Sequence, residues 1–566
     1  MKVSRFARFL GVSLSLAIVL VLAVGATYAQ DDAKVLHTGI GQVAGDLNTI
    51  DPAVSEVAAE HQITTLLWPG LTVQNEVTAE VVPGLASSWD ISEDGTVYTY
   101  HLRPDIYWVR YNAESGAVEQ VLDEAGNPRV VTAQDVVYGW QRTLNPETAS
   151  PYAYVLQVVV ANGAEVAAGE APAEDLGIVA VDDMTVEITM PEALGFAPGI
   201  HGLWMAAPQP AWSIEEGGDL WTEPEYISTY GPFALKEWAH DETITIIKNP
   251  FWTSTETIEQ PILDEVVFHF LDPQAQFAEF LAGTLDAADV PLEELERVKS
   301  DPELSALYSN GARMCTYYLG FDNTEPPMDN ANLRRALALS IDRQSIVDNV
   351  SRGGQIPAQW FSRPGLGAAP TPEQYPDLGI KFDPEAAQES LAMALEELGL
   401  ASVDELPPLT LAYNDGSGHA AITQAIQQMW TDNLGITVQL TAMDPTTYFS
   451  MLSEDYPMIA RSGWCQDYPD ANNFLYDVFH SASTQNDPGF SNAEFDALVE
   501  QARVLTDVQE RTDLYAQAEE ILVYDQAGIT PIYWYTTNQV TRPYVERTYS
   551  IVGDEAYESW DISRGE

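Results

Sequence analysis

The segment Arg461-Ser462-Gly463-Trp464-Cys465-Gln466-Asp467-Tyr468 holds the residues best equipped for chemistry. One carboxylate, Asp467, stands between aromatic neighbours and beside one of the two cysteines of the chain. A carboxylate walled by aromatics is suited to gripping a cation. It is poorly suited to catalysis, which needs a second acid, base or nucleophile within reach. No such partner stands beside it. The metalloprotease, paired-cysteine, phosphate-loop and nucleophile-elbow motifs are all absent. The eight histidines show no ligand-like spacing. Gly39-Ile40-Gly41-Gln42-Val43-Ala44-Gly45 is one residue off a dinucleotide fingerprint and reads as a turn. Asp90-Ile91-Ser92-Glu93-Asp94-Gly95 begins like a calcium loop, but His101 stands where the bidentate glutamate is required. The expectation is a binding protein: not an enzyme, with no metal and no cofactor.

The elements around this segment follow from local patterns. The apolar run Pro457-Met458-Ile459-Ala460 predicts a buried strand, with Asp467 in a loop at its end. Asp467 could cap a helix beginning near Ala471, although Asp470 is better placed. Arg461 and Trp464 read equally well as interior residues, and Tyr152, in a turn segment, as ordinary packing. Val97 to Leu102 alternates like a strand after the turn Ser92-Glu93-Asp94-Gly95. Thr132-Ala133-Gln134-Asp135 resembles a capping box opening a helix. Asp329 precedes a helix running to Ile346, and Asp383-Pro384 opens another that ends at Gly399. Strands are predicted at 409–413 and 436–442, helices at 493–505 and 508–523, and a strand at 529–535. Residues 316–527 thus read as an α/β lobe and the earlier part as an α+β mixture, with 110–130 a surface loop or extra hairpin.

Composition narrows the partners. With 25 basic and 85 acidic residues among 566, the net charge is −60. Such a chain repels nucleic acid and anionic lipid. It leans weakly towards cationic ligands, although a solubilising surface is the plainer reading. Aromatic residues make up 10% of the chain, enough to suit an aromatic-lined cleft. The N-terminus reads as an export signal: Lys2, Arg5 and Arg8, an apolar stretch from Phe9 to Gly25, and Thr27-Tyr28-Ala29 for cleavage after Ala29. An uncleaved anchor is the alternative, and a lipid-bearing cysteine is excluded there. A soluble, exported, monomeric protein, periplasmic or otherwise extracytoplasmic, is expected. Outside the cytoplasm Cys315 and Cys465 are expected to form a disulfide, with free or metal-binding thiols as the alternative. The closed loop of about 150 residues would contribute about 5 kcal/mol in the chain-entropy model.

Ordered segments then point to a family. They are Leu47-Asn48-Thr49-Ile50-Asp51-Pro52, Pro83-Gly84-Leu85-Ala86-Ser87-Ser88-Trp89, Val131 to Tyr138, Thr148 to Ala153, Tyr230-Gly231-Pro232-Phe233, and Met314-Cys315-Thr316-Tyr317-Tyr318. Arg334, Ala336-Leu337, Asp342-Arg343 and Gly463 to Tyr468 continue the series. In this order they resemble the oligopeptide-binding proteins of bacterial ABC uptake systems, within the peptide and nickel extracellular solute-binding proteins. The resemblance implies a mixed α/β, type II-like periplasmic-binding fold: two lobes, three intertwined domains and a hinge. Domain I would comprise 34–66, 208–315 and 528–566, domain II 67–207, and domain III 316–527. A short peptide would lie between the lobes like an added strand and be delivered to a membrane permease. Asp467 would take the peptide ammonium. Glu56, Val57, Gly463, Trp464 and Cys465 would supply backbone contacts, and Tyr152, His419, Arg461 and Trp464 would line the cleft. Cys315 and Cys465 match the family's disulfide. Departures are Pro445 at an aromatic wall position, with Tyr448 nearby as a substitute, Ser351 for a cleft lysine, and Arg313 for a tyrosine. Within the class the solute could instead be an oligosaccharide or nickel chelate. A secreted hydrolase or an adhesive surface protein remains a reading from another class.

Overall fold

Two long strands, Tyr308–Phe321 and Ile529–Thr541, carry the architecture. In the computed structural model, which describes residues 33–41, 45–416 and 418–564, they pair antiparallel at the middle of an 11-stranded sheet. On one side the sheet continues through Ala287–Asp289, Val35–Gly39, Glu265–His269, Thr243–Lys248 and Phe233–Ala239. On the other it continues through Ile459–Cys465, Leu409–Asn414 and Val438–Met443. Register shifts between Ala312 and Thr316, and between Tyr317 and Tyr318, interrupt the central pairing where it passes from one half to the other. Irregularities of this kind bend and twist a ladder locally. A separate four-stranded sheet, in the order 86–91, 97–102, 185–189 and 178–182, belongs to the first half.

The result is a two-lobed, mixed α/β fold in which the final strands return to the first lobe. The first lobe packs around Trp68, Trp108, Trp140 and Tyr230, and its core also takes in Val545, Tyr557, Trp560 and Ile562 from the far end of the chain. The second lobe has two larger cores, one around Tyr317, Leu337 and Trp430, the other around Trp360, Phe361, Phe474 and Tyr515, and a smaller one around Ala412 and Tyr448. Cys315 and Cys465 lie opposite each other on paired strands and are disulfide-bonded. Among the described residues no helix is long and apolar enough to cross a membrane. The expected export signal at 1–29 lies outside the described residues.

Caps set the helix boundaries. Thr132 and Asp135 form a capping box on helix Ala133–Thr143. Asp383 caps Pro384–Leu398, which ends at Gly399 in the left-handed region. Asp470, not Asp467, caps Ala471–Phe479, accepting the Asn472 amide at 2.9 Å. The 110–130 stretch takes the second of its two expected forms, a hairpin from strands Val109–Asn112 and Ala117–Gln120. Two expectations need correction. The helix expected after Asp329 is capped by Asn330 and stops at Leu339, with Ile346 in a separate short helix. The buried strand does not stop at Ala460 but runs from Ile459 to Cys465. The physical reason is its neighbour: Phe321 to Cys315 pair with Ile459 to Cys465 residue for residue, and that ladder overrides the polar local composition.

Candidate functional site

The strand Ile459–Cys465 has two different edges. Along one it pairs with Cys315 to Phe321 over its whole length. Along the other it meets Leu409–Asn414 only at Ile459 and Ala460. Among the described residues, Arg461 to Cys465 therefore have no strand partner on that second edge. Apart from the Arg461 carbonyl, which accepts the Tyr448 hydroxyl, their backbone groups there are a template for an added strand. Gly463 and Cys465 are exposed on it.

At its end the chain turns, and Asp467 is fixed in place. Asn473, in the first turn of helix Ala471–Phe479, accepts the Asp467 amide at 2.9 Å and donates to Asp467 Oδ2 at 2.9 Å. Trp464 Nε1 donates to the same Asn473 oxygen at 3.2 Å. From the first lobe Tyr152 donates its hydroxyl to Asp467 Oδ1 at 3.5 Å, and Gln74 Nε2 donates to the Asp467 carbonyl at 3.3 Å. The Asn473 amide also reaches a second, half-buried carboxylate, Asp477, at 3.2 Å. Burial, with the like charge of Asp477, pushes the Asp467 pKa up to about 7, against the opposing pull of the Asn473 and Tyr152 hydrogen bonds. No cation is among the groups that act on it. A held, desolvated carboxylate without an internal cation is disposed to pair with an ammonium brought by a ligand.

Asp467, Glu56, Tyr152, Trp464 and Cys465 border one cavity of about 540 Å³. Trp204 and His61 form part of its wall, their rings stacked at 3.4 Å, with the Tyr152 ring edge-on to Trp204 at 4.8 Å. Burial keeps His61 neutral, its pKa lowered to about 3. The amides of Glu56 and Val57 are both taken by the Glu60 carboxylate, at 2.7 and 3.3 Å, and the Val57 carbonyl accepts the His61 amide. The Val57 side chain is exposed. The two lobes touch beside the cavity, where Phe196 stacks on Tyr468 at 5.3 Å and Arg503 pairs with Glu192 at 3.4 Å.

Arg461, on strand Ile459–Cys465, and His419, at the start of helix His419–Leu434, do not border this cavity. The Arg461 guanidinium donates to Tyr535 at 2.8 Å and to Asn414 at 3.3 Å, and sits over the Tyr317 ring at 4.8 Å. His419 is buried 5.6 Å from the same ring. Burial, with the Arg461 charge, lowers its pKa to about 2. Tyr448 does not replace a cleft wall: it is fully buried, its hydroxyl donating to the Arg461 carbonyl at 2.5 Å. Ser351 is buried against Gln355, and Pro445 opens helix Pro445–Glu454. Arg313, by contrast, does border the cavity.

Several site residues carry no mark in the sequence. Asn473 is one of two adjacent asparagines, and only the turn at Asp467 brings it to that carboxylate. Gln74, Glu76, Trp204 and Glu558 come from distant stretches. The acidic excess of the chain was the one available signal for the last of these, and it does not say where acids gather.

Residues 80–486 match the family model of the bacterial extracellular solute-binding proteins, family 5. The chain is 31% identical over 531 residues to the periplasmic oligopeptide-binding protein OppA of Escherichia coli, covering 92% of this chain and 90% of that one. It is 32% identical over 509 residues to the probable deoxycholate-binding periplasmic protein YgiS of Escherichia coli, covering 88% of each. Its structure resembles that of Haemophilus influenzae OppA in complex with RPPGFSPFR, with a TM-score of 0.75 and 27% identity, covering 94% of this chain and 99% of that one.

Proposed function

The chain belongs to the bacterial extracellular solute-binding proteins of family 5, and on that premise we propose that it captures short peptides between its lobes for an ABC importer. It is a binding protein of a transport system, not an enzyme. The open edge from Arg461 to Cys465, ending at the desolvated carboxylate of Asp467, is the observation that carries the peptide reading. An extended peptide laid on that edge with its α-ammonium at Asp467 runs back towards Arg461. That guanidinium, held by neutral acceptors, is then placed towards the peptide's carboxylate end. Gly463 leaves space on the sheet face beside the Tyr535 hydroxyl and the Arg461 guanidinium, which a Cβ would approach to 3.3 and 3.5 Å. His419 supports the Tyr317 face on which Arg461 rests.

The three-domain division set out above is part of the same proposal, with hinge closure bringing Tyr152 and Gln74 onto Asp467. The closed form then docks on the permease, and the protein acts as an exported monomer. A bile acid of the kind named for the similar Escherichia coli protein is an anion. It would meet a cavity bordered by eight acidic residues and a single arginine, which disfavours it here.

Calorimetry with tri-alanine and its N-acetylated form tests the reading. The free peptide should bind and the acetylated one should lose at least a hundredfold, because acetylation removes the charge that Asp467 pairs with. Equal binding of the two forms, or binding of neither, would count against it. Native mass spectrometry of the purified protein gives an independent check, since a carried-over ligand should have a peptide mass.

A further inference from the structure

The cavity beyond Asp467 is more acidic than an ammonium site needs. Eight acidic residues and one arginine border it, so its charge is far from balanced. Two of the eight are offset internally: Arg547 pairs with Glu555 at 2.6 Å, and Arg313 acts on Asp554. Glu76 is buried and has only neutral donors, the Thr548 hydroxyl and the Ala556 amide, the latter at 2.8 Å. Glu558 is 8% exposed, and its Oε2 has no hydrogen-bond partner. Gln466 is 9% exposed and spends its amide nitrogen on Gln74 at 2.8 Å, which leaves its carbonyl oxygen unpartnered. Both orphaned atoms are acceptors, and leaving a buried acceptor unpaired costs about 1–3 kcal/mol. Neither finds a donor among the described residues.

These groups form one wall with the ammonium site. Gln74 bonds to the Asp467 carbonyl and to Gln466, and two residues on is Glu76, which holds the Ala556 amide two residues before Glu558. Burial and the nearby charges of Glu76 and Glu259 push the Glu558 pKa up to about 7, with no cation acting against them. Among the described residues no three acidic, histidine or cysteine side chains converge as metal donors do. The charge is spread along a chamber that also has apolar lining from Val73, Val82, Leu203 and Ile258. Such a chamber suits a long aliphatic stem with a cationic head rather than a bare ion.

We infer that the chamber from Asp467 to Glu558 selects peptides whose first residue carries a basic side chain, lysine or arginine, the head lying near Glu76, Glu558 and the Gln466 carbonyl. This rests on the reading of Asp467 as the α-ammonium site and adds a specificity that reading does not contain. Peptide ligands and small free diamines share the same pair of cationic groups, so the test separates them.

The test is calorimetry on the full mature chain with Lys-Ala-Ala, norleucine-Ala-Ala, Ala-Ala-Lys and 1,5-diaminopentane. Lysine and norleucine share an aliphatic stem of similar length and differ in the cationic head. Lys-Ala-Ala should bind roughly tenfold or more tightly than both the norleucine peptide and Ala-Ala-Lys. Glu558→Gln should shrink the lysine-to-norleucine ratio. Equal affinity for the lysine and norleucine peptides in the unmutated protein overturns the inference while leaving the peptide reading intact. Binding of none of the peptides overturns both. Tighter binding of the diamine than of Lys-Ala-Ala overturns the assignment to peptides. The first comparison needs no variant, so a folding defect in Glu558→Gln cannot mask the outcome.

Discussion

Affinity for a free peptide should fall steeply as the pH drops from 7 to 5. The Asp467 carboxyl has a pKa near 7 in the protein alone, because it is buried and near Asp477 with no cation beside it. Pairing with an ammonium requires the ionised form, so at pH 5 binding must first remove a proton. A group of pKa near 7 is about half ionised at pH 7 and roughly 1% ionised at pH 5, so apparent affinity falls about fiftyfold, or about 2.3 kcal/mol. The peptide's own α-amino group stays largely charged across this range, with a pKa of about 7.7–8.0. Asp477, at about 6, and Glu558 and Asp554, at about 7, titrate in the same window. For that reason Asp467→Asn is the necessary comparison. It should abolish the part of the slope owed to Asp467 and weaken binding at pH 7 by about 3–5 kcal/mol, the cost of breaking a buried charged pair. Titration calorimetry with tri-alanine at three pH values, on both proteins, reads this directly. A flat profile for the unmutated protein would refute the reasoning, as would an Asp467→Asn profile of unchanged steepness.

Other tests follow from the same geometry. Asn473→Ala removes the two hydrogen bonds that Asn473 makes with Asp467 and should weaken peptide binding by about 1–3 kcal/mol; unchanged affinity would show that the clamp is idle. Replacing Cys315 and Cys465 together by serine should lower stability by up to about 5 kcal/mol in urea unfolding, and a midpoint that does not move would contradict the loop-entropy estimate. Asp467, Glu519, Asp554 and Glu558 all have folded-state values pushed up to about 7 by burial. The folded state therefore binds protons more tightly than the unfolded chain, and stability should fall as pH rises from about 4 through 7. Thermal melts without ligand should give a higher Tm at pH 5 than at pH 8; the opposite order would reject the assignment.

Much of the fold was legible because its signals are local. Alternation marked the strand Val97–Leu102, and caps marked the helices at Ala133, Pro384 and Ala471. The length of the strand through Trp464 was not legible. Beyond Ala460 come Arg461, Ser462 and Gly463, which are polar or small, and they are strand because Cys315 to Phe321 lie alongside. Local propensity yields to such pairing, since most of a strand's stability comes from its neighbours.

From its residues alone the chain determines the order of its elements, its acidity and the one carboxylate set among aromatics at 464–468. A covalent sequence carries these because each is a matter of residue type and near spacing. Only the tertiary structure decides what surrounds that carboxylate. The chain's late return to the first lobe carries 548–559 to the same cavity as Glu56, Glu76, Trp204 and Asp467. Asn473 becomes a clamp only because the chain turns at Asp467. Burial in that assembled place, rather than residue type, raises the Asp467 pKa and leaves Glu558 without a partner.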